Sequence, residues 1–157
     1  MKTMTWPINT VARVADVDSR ILSQWFRTGM LQYRGDDKHS MGTGVRCGLS
    51  RPRVIEATIV RLLSRYDVPA SRAGRAAIEF TINENAGRPA CELFPIGATA
   101  LVIRQHDAVV VNVGPETRVS DLSANGVAIV IDLNAIVAHV DAELSKPNQH
   151  KRKNRNV

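Results

Sequence analysis

Arg20, Ser23, Gln24 and Arg27 fall together in one short stretch, "SRILSQWFRTGML". Their chemistry is recognition rather than bond-making. Arginine and glutamine can make bidentate contacts to the edges of guanine and adenine, and serine suits a phosphate or either base. Something must hold them in a fixed direction. Ile21, Leu22, Trp25 and Phe26 recur at i, i+1, i+4 and i+5, which predicts a helix with these four on a shared apolar face. Only 4% of the chain is aromatic, so placing Trp25 beside Phe26 concentrates a scarce anchor there. Asp18 or Ser19 can accept a backbone N–H as the N-cap, and Gly29 ends the helix as a residue able to take positive φ.

Other chemistries find little support. Cys47 and Cys91 form no C-x-x-C, and His39, His106, His139 and His150 are scattered without a ligand-pair spacing. "GTGVRCG" places its third glycine one position too late for a G-x-G-x-x-G loop, and no helix is expected to open on it. With no nucleophile motif, no carboxylate pair at helix spacing and no phosphate loop, the chain is not expected to be an enzyme, and no cofactor or metal is implied.

The 157 residues are enough for one ordinary domain or two small ones, and a hydrophobic content of 44% supports a real core. Apolar runs such as 108–111 and 127–131 are too short to span a bilayer, and "MKTMTWPINT" has no apolar core of a signal peptide. A bacterial-type cytoplasmic, nucleoid-associated protein with no membrane partner is expected. The charge is uneven. Residues 1–85 carry 13 Lys+Arg against 8 Asp+Glu, residues 86–145 carry 3 against 7, and residues 146–157 carry 5 against none. A basic first half and a basic end point to a polyanion met by those parts.

Four helices are expected in the first half. The first runs from about Pro7 to Ala15, with Val11, Ala12 and Ala15 inward, and the Trp25–Phe26 helix is the second. Leu31–Arg34 and Val45–Cys47 read as two short strands around a glycine-rich loop, a hairpin carrying Arg34, Lys38 and Arg46. Ser50 is a cap candidate for a third helix, in which Val54, Ile55, Thr58, Ile59, Leu62 and Leu63 share a face. A fourth extends to about Asn83 with Ala73, Ala76, Ala77 and Phe80 inward. "NENAGRPAC" reads as the boundary between two units. Beyond it "ALVIRQ" and "AVVVNV" flank a turn at His106-Asp107. Asn125-Gly126 precedes the third run "VAIVI", and Asp132 can cap a final helix bearing Leu133, Ile136, Val137, Val140 and Leu144.

This order of helix, turn, helix, hairpin and two further helices resembles the MerR-like winged helix-turn-helix DNA-binding domain over roughly residues 5–82. The stretches that carry the likeness are "INTVARVADVD", "ILSQWFRTGML" with its R-x-G-[LM]-L ending, and "VRCGLS" leading into an amphipathic helix. The resemblance implies that the second helix enters the major groove and that the hairpin meets the backbone of the adjacent minor groove. Arg20, Ser23, Gln24 and Arg27 would then face base edges, while Arg34, Lys38 and Arg46 would face phosphates. The chain departs from the family in carrying Ser23 where an arginine is common and Leu49 where a tyrosine is usual. It also lacks the long dimerising helix and the cysteine-rich effector loop, so metal or drug sensing does not carry over.

The expectation is therefore an α+β chain in three parts. Residues 1–85 form a winged helix with four helices and a β-hairpin wing, 90–146 a small β-β-β-α unit, and 147–157 a disordered basic tail that attracts phosphates without reading bases. The function expected is sequence-specific binding of double-stranded DNA by a bacterial or phage transcriptional regulator. The alternatives are an excisionase-like DNA-bending factor of a mobile element and, in a different class, a protein-interaction adaptor. A homodimer through residues 90–145 and a contact with RNA polymerase or a recombinase are the protein partners expected.

Overall fold

The computed structural model describes residues 4–38, 47–84, 87–123 and 126–147, and it is a mixed α+β fold with two small antiparallel sheets. Among the described residues no helix is long and apolar enough to cross a membrane. The chain starts with a short strand, β1 (Thr5–Pro7), and passes at once into α1 (Ile8–Val14). Pro7 serves as the N-cap rather than the first helical residue, and Val11, Ala12 and Ala15 are buried. Asp16 then takes φ +52, a left-handed conformation that aspartate tolerates better than most residues. The turn leads into α2 (Ser19–Arg27), whose N-cap is Asp18, its carboxylate accepting from the Arg20 N–H at 2.8 Å.

Only part of the expected hairpin lies among the described residues, since residues 39–46 fall outside them. Leu31–Arg34 is not a strand among the described residues, and Cys47 lies just outside β2 (Gly48–Ser50). β2 pairs instead with β1, in the register Thr5↔Ser50 to Pro7↔Gly48, and a single bridge joins Lys38 to Gly48. The physical reason lies in Asp37. Its buried carboxylate accepts from the backbone N–H of Arg34 and of Ser50, each at 2.7 Å, and from the Ser50 hydroxyl at 2.7 Å. That pulls residues 34–37 into a turn and leaves the β2 edge free for β1. Ser50 remains the N-cap of α3 (Arg51–Ser64), but its hydroxyl serves Asp37 and not the helix.

α3 is the centre of the molecule. Arg53, Val54, Ile55, Glu56, Ala57, Ile59, Val60 and Leu63 are all buried, so it is covered on nearly every side. α4 (Ala70–Thr81) packs along it, with Ala73, Ala76, Ala77 and Phe80 buried as expected. Gly74 fits where a side chain would not: a Cβ there would lie 2.7 Å from the Met30 carbonyl oxygen. This close approach seats α4 against the end of α2, just past Gly29, whose φ of +76 ends that helix.

The second half forms a three-stranded antiparallel sheet with β3 (Ala98–Ile103) between β4 (Ala108–Val113) and β5 (Ile129–Asp132). A short helix, α5 (Val119–Leu122), lies between β4 and β5 and was not expected. Asp132 caps α6 (Leu133–Ser145) by accepting from the Ala135 N–H at 3.2 Å, on the residue expected. The Asn125-Gly126 turn begins outside the described residues, as does all of residues 148–157.

The two halves share one core. α6 packs on α3 and α1, and α4 lies against β3 and β4, so Leu133, Val140, Leu101 and Ile103 join the same buried cluster as Leu22 and Phe80. The apolar inner face of residues 90–145 therefore finds its cover within the same chain and does not require a second copy. Ion pairs reinforce the seam: Arg13 reaches Glu143 at 2.5 Å, and Arg51 grips Asp141 in a two-pronged pair at 2.6 and 2.8 Å.

The Arg51 hydrogen bond holds the Asp141 carboxyl below its ordinary value of 3.8. A depressed carboxylate pKa contributes stability above the unfolded-state value and loses it as pH falls through the folded-state value. Asp141→Asn is therefore expected to be less stable than the parent at neutral pH, by under about 1 kcal/mol because the pair is partly exposed. The two proteins should become equally stable at an acid pH below the folded-state value. Denaturant midpoints at both pH values check this, and a gap that persists in acid would assign the effect to shape rather than charge.

Candidate nucleic-acid interface

α2 is held by one face and open on the other. Leu22, Trp25 and Phe26 are buried, and the Phe26 ring stacks on Tyr33 with centroids 4.5 Å apart. Ile21, expected inward, is 45% exposed and lies at the margin of the apolar face. Arg20, Ser23, Gln24 and Arg27 are all exposed. The helix begins at a cap that uses an acidic side chain and ends with Arg27 in its last turn, favourable for the helix dipole at both ends.

The four are not equally available. The Ser23 hydroxyl donates to the Ser19 carbonyl at 2.7 Å, a back-bond within the helix. Arg20, Gln24 and Arg27 have no side-chain hydrogen bond among the described residues. That sets the two arginines apart from many others. Arg13, Arg51, Arg53, Arg65 and Arg104 face carboxylates, and Arg61, Arg72 and Arg88 donate to backbone carbonyls.

The residues assigned to the hairpin divide. Lys38 is exposed at the bridge to Gly48. Arg34 is half-buried, and its positive charge acts on the buried Glu56 carboxyl, so it is partly turned toward the core. Arg46 lies outside the described residues, as does Val45.

Beneath this loop is an ionic network that the sequence did not disclose. Arg53 and Glu56 are 3% and 1% exposed and paired with each other. Glu56 also accepts from the Thr81 hydroxyl on α4, and the Arg53 Nε stands 3.8 Å from Asp37. Burial pushes the Glu56 carboxyl up, against the pull of Arg53, Thr81 and Arg34. Buried charges persist only when paired and hydrogen-bonded, and here the Arg53–Glu56 pair of α3 meets Asp37 from the loop and Thr81 from α4. The network thus ties the 34–38 loop to α3 and α4. The Tyr33 hydroxyl, which accepts from Cys47 Sγ at 3.4 Å, is pushed up to about 12, chiefly by burial.

The only signals for this network were an acidic residue in the loop, Asp37, and two charges on the third helix. Charges on a helix are usually solvated, so nothing in their spacing marked them as internal. The arrangement as a whole is a rigid scaffold presenting an exposed, cationic, hydrogen-bonding helix face, with a lysine nearby on a tethered loop. No protein-family model matches the chain and no curated protein matches it, so the reading of this surface rests on its own residues.

Proposed function

We propose that the chain is a sequence-specific double-stranded DNA-binding protein of the winged helix type, acting as a transcriptional regulator. α2 lies in the major groove, with Arg20, Gln24 and Arg27 at base edges. Ser23, its hydroxyl proton engaged in the helix, donates to a phosphate only by giving up that bond, while its oxygen can still accept from a base. Lys38 meets the phosphate backbone, with Arg46 of the same loop as a second contact and Arg34 as a weaker contributor. The observation that carries this reading is the state of α2: one face pinned in the core, the other offering two arginines and a glutamine with no partner among the described residues.

Arg27→Ala and Gln24→Ala are each expected to weaken specific binding by about 1–3 kcal/mol while leaving the melting temperature unchanged. A salt-dependent mobility shift on duplex DNA, with selection for the preferred sequence, measures both. Equal losses on specific and random DNA would reduce these side chains to phosphate contacts. No salt-dependent shift on any duplex would remove the DNA-binding reading and leave a protein-interaction adaptor in its place.

A further inference from the structure

Behind α2, on the far side of the α1–α2 turn, a groove runs along the seam between α3 and α6. Its first lobe, about 320 Å³, is lined by Val14, Leu62 and Ile136, with Arg61, Arg65 and Asp16 at its mouth. Its second, about 490 Å³, is lined by Tyr66, Ile129 and Ile131. The lobes share Leu62, Ala135 and Ile136. Thr58 and His139 mark one end, Tyr66 and Asp132 the other, so the two helices are antiparallel and the lobes follow one another along them. From Thr58 to Tyr66 the helix rise gives a length of about 12 Å.

The groove is unlike the surrounding surface in two ways. Its second lobe is apolar and flanked by bulky exposed side chains, Tyr66 at 68% and Val130 at 48%. Its first lobe has a surplus of cationic donors. Arg61 uses only Nε, donating to the Asp16 carbonyl at 2.7 Å, and Arg65 uses only one terminal nitrogen, on the Asp16 carboxylate. Arg65 thus meets the Asp16 carboxylate while Arg61 meets only a backbone carbonyl, and the remaining N–H groups of both have no partner among the described residues. The Arg65–Asp16 pair is half exposed, so it holds Arg65 weakly.

We propose that this seam binds a monocarboxylate with an unbranched apolar tail, of the medium-chain fatty acid class, its carboxylate on Arg61 and Arg65 and its tail along the α3–α6 groove. An arginine fork matches a carboxylate in both charge and geometry. The pocket's size and its mostly apolar lining with a few convergent polar groups are those of small-molecule sites. Occupancy has a route to α2. The same two arginines hold Asp16, two residues before the α2 cap, and His139 Nε2 lies 3.1 Å from the Val14 carbonyl oxygen on the same turn. A carboxylate that recruits Arg61 and Arg65 loosens that hold, so ligand and DNA are coupled. This coupling, unlike the site itself, rests on the DNA-binding reading.

The test is calorimetric titration of the full chain with octanoate, with 1-octanol as the uncharged control. Octanoate is expected to bind saturably and octanol at least about tenfold more weakly. An Arg61→Met/Arg65→Met variant should lose about tenfold or more in octanoate affinity. Ala135→Trp, at an exposed position common to both lobes, should block binding while melting normally. Absence of saturable binding at millimolar octanoate would overturn the site, as would equal binding of octanol or an unaffected Ala135→Trp. In mobility shifts, saturating octanoate should move the DNA midpoint severalfold in the parent and not in Ala135→Trp. An unmoved midpoint at saturation would overturn the coupling. If octanoate binds as described but no DNA is shifted, the site stands and the DNA-binding reading falls.

Discussion

A chain ending at residue 85 is expected to lose cooperative folding. Leu133, Ile136, Val137 and Val140 of α6 are buried in the same core as α1 and α3. Removing them returns a matching apolar area on α1 and α3 to water. At about 1.5–3 kcal/mol for each large side chain buried, the loss is roughly 6–12 kcal/mol. A whole domain is stable by only about 5–15 kcal/mol. Loss of the sheet side chains Leu101, Ile103, Val110 and Ile131 adds to the deficit. Far-UV circular dichroism of the fragment should show reduced helix and a broad, non-cooperative melt. A fragment that melts sharply, near the parent temperature, would mean that the first half carries a sufficient core of its own.

Trp25→Ala is expected to cost about 3–5 kcal/mol, the range for deleting a large aromatic side chain from a packed interior. Trp25 is only 8% exposed and adjoins Phe26, whose ring stacks on Tyr33. Chemical denaturation measures the loss, with Ile21→Ala as the contrast. Ile21 lies on the same helix but is 45% exposed, and should change stability by no more than about 0.5 kcal/mol. A Trp25→Ala protein with undiminished stability and lost DNA binding would reassign the indole from anchor to contact.

The features legible in the sequence were those set by local chemistry. Asp18 and Asp132 announced their helices because a capping carboxylate acts on N–H groups two or three residues away. The inward faces of α4 and α6 followed from helical spacing, and the β3–β4 hairpin from two apolar runs around a polar turn. What escaped was decided by distant partners. β1 is three residues long and includes a proline, and only Ser50 and its neighbours, more than forty positions away, make it a strand. Asp37 reads as one more loop acid until Ser50 and Arg53 surround it. Of the proposed site, the α2 residues were legible because the apolar face fixes the polar one by exclusion. The half-burial of Arg34 was not legible because its spacing carried no information about the buried Glu56. The core shared by the two halves was not legible for the same reason: periodicity shows that a face is apolar, not what covers it.

The stretch that looked most like a connector is instead a bolt. Arg88 is 1% exposed, and its guanidinium donates to the carbonyls of Asn83 and Pro89 at 2.8 Å, Glu92 at 3.0 Å and Phe80 at 3.2 Å, while lying over the Phe80 ring. No basic residue stands in the last turn of α4, and this arginine from beyond the helix supplies the missing positive charge at its end. Shuffling this half onto another partner at residues 83–91 would cut through the most enclosed cation among the described residues. The natural breakpoint for recombination, or for inserting a reporter, is the exposed His106-Asp107 turn, where the chain can be lengthened without drawing any buried charge into water.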